Sequence, residues 1–221
     1  LALEIIQRID AAVEGAIASK YRNTGQTCVC ANRLFAQRSV YDAFVEKLSK
    51  RVERLKVADG TAQGAEIGPL IDEAAVAKVE ELVGDAVARG GRIATGGKRH
   101  ALGRTFFEPT VIANATPEME IFREEIFGPV APVICFDSEE EAVRLANSTQ
   151  YGLAAYFYGR DVSRVWRVAE ALEFGIVGIN QGVISTEVAP FGGMKESGNG
   201  REGSKYGIEE YLEVKYLCIG I

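Results

Sequence analysis

Three apolar runs of strand length alternate with two amphipathic segments between residues 130 and 180, and this order constrains the fold more than any other feature. The runs are VAPVICF (130–136), LAAYFYG (153–159) and GIVGIN (175–180). Their near-continuous hydrophobicity is typical of strands that are covered on both faces. Two consecutive strand–helix–strand units predict an α/β fold, with a parallel sheet and helices packed on it.

Residues that cap helices mark where the predicted helices begin. Ser39, Asp72, Ser138 and Asp161 each precede a segment whose apolar residues recur at helical spacing. The oxygen of such a side chain can accept a hydrogen bond from a free N–H of the first turn. We therefore expect one helix to follow each of these four residues.

Charge and composition exclude several classes of protein. The net charge of −6 gives no basic surface for nucleic acid, and no apolar run approaches the roughly 18 residues of a membrane span. The opening LALEIIQRID has neither the cationic start nor the cleavage site of a signal peptide. Four cysteines in 221 residues do not form a disulfide scaffold. We expect a reducing compartment: the cytoplasm, or the mitochondrial matrix in a eukaryote.

The segment RNTGQTCVCANR (22–33) carries two cysteines whose role the rest of the chain must decide. The chain has a single histidine, His100, and no Cys-x-x-Cys pair, so we expect no metal site. Nothing favours a Cys–His dyad between His100 and Cys28 either. Cys28 and Cys30 therefore remain either packing residues or a reactive thiol and its neighbour.

The surroundings of Cys28 favour the reactive interpretation. Polar or small residues occupy 23–27, and they suit an apolar interior poorly. A predicted helix from Asp10 to about Arg22 ends just before them, and the strand-like ANRLFAQ (31–37) follows. A thiol at such a junction can lie at the edge of a sheet, where open α/β folds bind ligands. The polar loop can also present backbone N–H groups to a thiolate or an oxyanion.

Two further segments have no decisive pattern of their own. EEIFGPV (124–130) fits the end of a helix followed by a turn. Residues 180–207 form a long glycine-rich stretch with neither a dinucleotide-binding fingerprint nor a P-loop. Long loops in compact domains tend to be functional.

Taken together, GQTC, EEIFGP and PFGGMKESGNGRE, in this order and at these separations, resemble the C-terminal half of the aldehyde dehydrogenase superfamily. The resemblance runs from about Ile9 to the end of the chain. Within the superfamily, YRNTGQTCVCANR, KRHALGRTFFEPT and REGSKYGIEEYLEVKYLCIG most resemble the succinate-semialdehyde dehydrogenases. The resemblance to this superfamily implies a parallel, doubly wound sheet with helices on both faces.

The resemblance also implies a mechanism and a cofactor site. The thiolate of Cys28 would attack the aldehyde, hydride would pass to NAD or NADP, and the resulting thioester would be hydrolysed. Glu125 would bind the nicotinamide ribose, and Phe127 would pack beside the nicotinamide. Cys30 resembles the partner in a redox switch, in which the two cysteines form a reversible disulfide.

Three other residues match positions that contact the substrate. Phe191 would line the substrate tunnel, while Arg22 and Ser185 would hold the distal carboxylate of a semialdehyde acid. An Arg–carboxylate bond is charge-assisted and can be bidentate, which makes the assignment chemically reasonable. The alternative for Arg22 is that it interacts only with the carbonyl end of its helix.

The resemblance covers only half of such an enzyme. It implies a catalytic domain at 1–207, in which residues 1–8 depart from the family, and an oligomerisation tail at 208–221 that contains a terminal strand. The NAD-binding domain, the general-base glutamate and the oxyanion-hole asparagine fall outside the chain, so we expect no tight cofactor binding and no activity from this chain alone. We expect a small aldehyde with a distal carboxylate as substrate, a homo-oligomer, and neither nucleic acid nor membrane as partner.

Two alternative functions also fit the sequence. One rival is a related semialdehyde or hydroxy-aldehyde dehydrogenase. The other is a non-catalytic module that binds partners through its terminal strand, at 213–221. Cys135 and Cys218 lie in strand-like runs, and we interpret them as packing residues.

Overall fold

The computed structural model describes residues 9–221 and the backbone of residues 2–3, so most of the expected leader at 1–8 lies outside the described residues. The helices are α1 (Ile9–Lys20), α2 (Tyr41–Val52), α3 (Glu73–Ala88), α4 (Glu120–Arg123), α5 (Glu139–Asn147) and α6 (Val162–Ala171). The strands are β1 (Ala2–Leu3), β2 (Leu34–Gln37), β3 (Arg92–Thr95), β4 (Thr110–Ala115), β5 (Val130–Phe136), β6 (Tyr151–Gly152), β7 (Ala154–Tyr158), β8 (Ile176–Ile179) and β9 (Met194–Lys195).

Seven strands form one sheet in the order β3-β4-β5-β2-β1-β7-β8. The predicted strands at 130–136, 153–159 and 175–180 correspond to β5, β7 and β8, and β7 pairs with β8 in parallel. The sheet departs from a purely parallel arrangement at one edge, where β3 runs antiparallel to β4. An antiparallel edge strand is common on otherwise parallel sheets of this kind. β6 and β9 form a separate antiparallel pair.

The two faces of the sheet carry separate hydrophobic cores. Leu34 and Ala36 of β2 pack into the core shared with α1 and α2, whereas Phe35 between them packs into the core with α3, α5 and α6. Successive side chains of a strand point to opposite faces, so a short apolar run serves both cores. This arrangement confirms the α/β fold with helices on both faces.

Three of the four predicted caps are confirmed. Asp72 accepts a hydrogen bond from Ala75 N (2.8 Å), Ser138 accepts one from Glu141 N (3.2 Å), and Asp161 caps α6 in the same way. The prediction for Ser39 is wrong. The residue before α2 is Val40, and no side chain caps that helix.

The predicted terminal strand at 213–221 is not found within the chain. A 3-10 turn at Glu209–Tyr211 is followed by residues 212–221, which belong to no element and are exposed. Their apolar side chains, such as Val214 and Leu217, lie in solvent, so pairing with another chain stays a prediction. Cys218 is also exposed, and its interpretation as a packing residue is wrong for this chain. Cys135 on β5 is half-buried, and burial raises the pKa of its thiol.

Within the described part of the chain, no helix is both long enough and apolar enough to cross a membrane.

Candidate active site

A cleft of about 820 Å³ opens at the amino-terminal ends of β2 and β7. Cys28, Glu125, Phe35 and Tyr156 are among the residues that line it. Open α/β sheets generally bind ligands at the carboxyl ends of their strands, so the edge rule that we applied to Cys28 does not describe this site. A smaller cavity of about 340 Å³ at the carboxyl edge includes none of the predicted site residues in its lining.

Cys28 occupies a tight turn at the mouth of this cleft. Cys30 N donates to Thr27 O (2.8 Å), which closes the turn, and Ala31 N donates to Ser19 O at the end of α1 (3.0 Å). Val29 points inward and is buried, whereas Cys28 is exposed. The interpretation of Cys28 as a packing residue is therefore wrong, and its thiol is accessible to a reagent or a substrate.

Gly25 joins the first two sequence segments backbone to backbone. Its φ of +78° lies in the left-handed region, and a Cβ at this position would overlap Gly128 O. Glycine satisfies both constraints because it has no Cβ. The GQTC and EEIFGP segments are thus in direct contact, which the sequence resemblance implied but residue spacing could not show.

Two amide side chains, one before and one after Cys28 in the sequence, tie the Cys28 segment to other loops. Gln26 donates to Pro69 O (3.2 Å) and accepts from Ile71 N (2.9 Å). The Gln26 side chain thus bonds a carbonyl and an N–H that are two residues apart, as a neighbouring strand would. Sequence reasoning missed this role, for which the only signal was a glutamine beside the cysteine motif.

The second of these amides is Asn32, four residues after Cys28. Its Nδ2 donates to Glu124 O (2.7 Å), and its Oδ1 accepts from Ile126 N (2.8 Å). Lys78 Nζ adds a hydrogen bond to the carbonyl of the residue between them, Glu125 (2.6 Å). The backbone on both sides of the Glu125 carboxylate is therefore fixed.

A buried cation lies beneath the cleft. Lys20, the last residue of α1, is 1% exposed. Burial lowers the pKa of its ammonium to about 8, while the charges of Cys30 and Glu125 raise it. The positive charge of Lys20 therefore faces two residues of the cleft, and its burial costs stability.

A second cation packs in the wall of the cleft. Arg33 donates to Leu145 O (3.0 Å) and Ala146 O (2.9 Å), and its guanidinium carbon lies 4.7 Å from the centroid of the Phe122 ring. Burial lowers the pKa of this guanidinium to about 10. Arg33 thereby fixes the carboxyl end of α5 against the cleft.

The structure brings together three of the seven predicted site residues. Cys28, Cys30 and Glu125 line the cleft. Cys30 is half-buried, and its sulfur donates to Arg22 O (3.6 Å) rather than bonding to Cys28. Phe127 does not line the cleft; it is 40% exposed with a φ of +49°, which is unusual for a bulky residue.

Arg22, Ser185 and Phe191 lie outside the lining of the cleft. Arg22 and Ser185 are exposed, and Ile184, which precedes Ser185, packs into the core on the α1 side. Phe191 exchanges two backbone hydrogen bonds with Glu202 (2.9 and 2.7 Å). The substrate roles of these three residues stay predictions.

In the residues that the structure describes, no group of three or more His, Cys, Asp and Glu side chains could hold a metal ion.

Comparison with known proteins identifies the class of this chain. The profile of the aldehyde dehydrogenase family matches residues 5–217, so the chain belongs to that family of oxidoreductases. Among curated relatives, the succinate-semialdehyde dehydrogenase [NADP(+)] of Escherichia coli is 60% identical over 96% of the chain and 44% of that enzyme. The glutarate-semialdehyde dehydrogenase of Pseudomonas aeruginosa is also 60% identical, with the same two coverages.

A solved structure shows the same fold. The crystal structure of succinate-semialdehyde dehydrogenase from Burkholderia pseudomallei superimposes with a TM-score of 0.97 at 62% identity, covering 100% of this chain and 46% of that one. The chain therefore spans somewhat less than half the length of the relatives that it matches.

Proposed function

We propose that this chain is the catalytic-domain portion of an NAD(P)-dependent dehydrogenase that oxidises succinate semialdehyde to succinate, with Cys28 as the nucleophile. One observation carries the proposal: Cys28 is exposed on a hydrogen-bonded turn, in the same cleft as Glu125. The membership of the aldehyde dehydrogenase family gives that thiol its chemistry. The identity to two semialdehyde dehydrogenases supports a substrate with a distal carboxylate.

The reaction proposed at Cys28 is a two-electron oxidation of the aldehyde to a carboxylic acid. The sulfur bonds to the carbonyl carbon and the carbonyl oxygen takes a proton, which gives a thiohemiacetal. Loss of hydride from that carbon and of the hydroxyl proton leaves a thioester. Water then cleaves the C–S bond, which releases the carboxylic acid and returns the thiol. A bound nicotinamide dinucleotide supplies the hydride acceptor.

The residues of this chain could contact only the nicotinamide and its ribose, which are one part of the dinucleotide. Glu125 is exposed and the backbone around it is fixed by Asn32 and Lys78, so its carboxylate is suited to accept hydrogen bonds from ribose hydroxyls. Phe127 offers an exposed ring close by in sequence. One carboxylate and one ring do not make a dinucleotide site, so we propose that this chain alone binds the cofactor weakly and is inactive.

Arg22 is proposed to recognise the distal carboxylate of the substrate. Losing one partner of a desolvated charge pair costs on the order of 2–5 kcal/mol. In the complete enzyme, Arg22→Ala should therefore raise KM for succinate semialdehyde by at least tenfold and leave KM for an uncharged aldehyde nearly unchanged. Arg54→Ala, at an exposed arginine just after α2, is the control.

The kinetic outcomes separate the parts of this proposal. Equal losses on both aldehydes would remove the role of Arg22 in specificity. Full activity of a Cys28→Ser variant would remove the mechanism itself, and Cys135→Ser, which lies away from the cleft lining, is the matched control for that substitution.

The second candidate substrate is glutarate semialdehyde. It is favoured by the relative that carries this name at the same 60% identity. The two substrates differ by one methylene, which a pocket discriminates by only about 1–3 kcal/mol. The ratio of kcat/KM values for the two aldehydes decides between them.

The tail supports a proposal about assembly. Residues 212–221 expose a row of apolar side chains and lie in no sheet. Unpaired extended segments of this kind pair readily with the edge of another sheet. We propose a second copy of this chain as the partner. The proposed location, the cytoplasm or mitochondrial matrix, rests instead on the four cysteines, which are all free.

A further inference from the structure

Tyr156 is a buried residue of the cleft that no step of the proposed mechanism uses. It lies on β7, is 2% exposed and lines the cleft together with Cys28. Its hydroxyl donates a hydrogen bond to Val29 O (2.8 Å) across 127 positions of sequence. This is a direct bond from the sheet to the residue that follows Cys28.

The bond holds the inner half of the cysteine turn. Cys28 and Val29 are the two central residues of the turn that Thr27 O and Cys30 N close. Val29 is 4% exposed, so its carbonyl would be a buried acceptor without this donor. A buried polar group that loses its partner carries a desolvation cost, and the backbone moves to recover a bond. The turn that displays Cys28 therefore depends on the hydroxyl of Tyr156.

Other groups of the predicted site also surround this tyrosine. Burial raises the pKa of Tyr156, the charge of Cys30 raises it further, Arg22 lowers it, and Cys28 raises it. A Cβ at Gly178 would lie 2.8 Å from both Tyr156 Cδ1 and Ile184 Cγ2, so the segment before Ser185 packs beside the ring. The phenol stays protonated near neutral pH and remains a donor.

We propose that Tyr156 is a positioning residue for the nucleophile: its hydroxyl fixes the Val29 carbonyl and so holds Cys28 in the turn that faces the cleft. This inference rests on the proposed role of Cys28. The fixed turn keeps the Cys28 sulfur exposed at the mouth of the cleft, where an electrophile can reach it.

Site-resolved alkylation of the 221-residue chain tests the proposal without cofactor. The folded protein is treated with limiting iodoacetamide near neutral pH, digested with trypsin and analysed by fragmentation mass spectrometry. Cys28 and Cys30 fall in one peptide, residues 23–33, so the ratio of their labelling is independent of peptide recovery. Tyr156→Phe deletes only the hydroxyl. Tyr158→Phe makes the same deletion two residues on in β7, where the hydroxyl contacts Gly15 instead.

The expected result is a fall of about three- to tenfold in the Cys28 rate for Tyr156→Phe, the range that corresponds to one ordinary hydrogen bond. Tyr158→Phe should leave the Cys28 rate near the wild-type value. General loosening of the fold would instead increase labelling of half-buried Cys30 and Cys135, and this pattern would overturn the proposal. An unchanged Cys28 rate in Tyr156→Phe would overturn it as well.

The same experiment separates this inference from the proposed function. If Cys28 is not the fastest of the four cysteines in the wild-type chain, the role of Cys28 as nucleophile fails. If Cys28 is fastest and Tyr156→Phe does not change its rate, only the positioning role of Tyr156 fails.

Discussion

Replacing Lys20 with methionine should stabilise the chain at neutral pH, although it removes the buried cation beneath the cleft. Methionine has a similar length and packs well in apolar surroundings. The pKa of Lys20 is about 8 in the folded chain and 10.5 for an ordinary lysine, a difference of 10.5 − 8 = 2.5 units. At 1.36 kcal/mol for each unit, burial of the charged ammonium costs about 3 kcal/mol.

The pH dependence follows from proton linkage. Below pH 8, Lys20 is charged in both the folded and the unfolded chain, and the full cost is present. Between pH 8 and 10.5 the unfolded chain binds more protons, so wild-type stability rises with pH relative to Lys20→Met. Above 10.5 the side chain is neutral in both states. The advantage of the variant should therefore fall by about 3 kcal/mol between pH 7 and 10.5.

Urea unfolding followed by circular dichroism at a series of pH values measures this difference. Subtracting the free energy of unfolding of the wild type from that of the variant cancels the contributions of all groups whose titration the substitution leaves unchanged. Lys98→Met, at an exposed lysine, is the control and should show a nearly constant difference. If the stability difference between Lys20→Met and the wild type stays constant over the same pH range, burial does not lower the pKa of Lys20, and the account of this buried cation beside Cys30 and Glu125 is refuted.

Three further predictions concern the cysteine turn and the cofactor. Gly25→Ala should lower the free energy of unfolding by about 3 kcal/mol or more, because strain at φ +78° adds to the overlap with Gly128 O. Gly64→Ala, at φ +73° with no atom within 4 Å of its Cβ, should show only the strain of about 1–2 kcal/mol, and equal losses would disprove the contact. Peroxide should form a Cys28–Cys30 disulfide that is readily reduced because the ring is tight; peptide mapping that finds Cys30 free throughout would dismiss this switch. Calorimetry of the chain with NAD⁺ or NADP⁺ should show negligible heat of binding, and a saturable isotherm would contradict the proposal that this chain alone binds the cofactor weakly.

The sequence predicted those parts of the fold that depend on local chemistry. The strand at 130–136 matches β5 in both bounds, because a strand buried on both faces must be apolar throughout. Asp72 and Asp161 mark helix starts because their carboxylates bond free N–H groups nearby in sequence. Ser39 has the same chemistry but does not cap, which shows that a capping residue permits a helix start without fixing its position.

The parts that depend on distant contacts could not be read from the sequence. Tyr156 lies in an apolar run that predicts only a strand, and its bond to Val29 joins residues far apart in the chain. Asn32 likewise bonds both neighbours of Glu125, 92 and 94 positions away. The cleft opens at the amino-terminal ends of β2 and β7, whereas the general rule for parallel sheets favours the carboxyl ends, and which end is used depends on how the loops pack.

The tail illustrates a different limit. Its β-branched and aromatic residues predict a strand, yet a strand also needs a partner with free hydrogen-bonding groups. In the described chain, residues 212–221 pair with neither edge of the seven-stranded sheet, and they remain exposed.

The most direct test of Cys28 as the nucleophile is to trap the acyl intermediate in the complete enzyme. The enzyme is mixed with succinate semialdehyde and oxidised cofactor, quenched in acid during the first turnover, digested and analysed by mass spectrometry. The account predicts one succinyl group on Cys28 in the peptide 23–33 and none on Cys30, Cys135 or Cys218. Turnover with the acyl group on another residue, or with no acyl group on any cysteine, would contradict it.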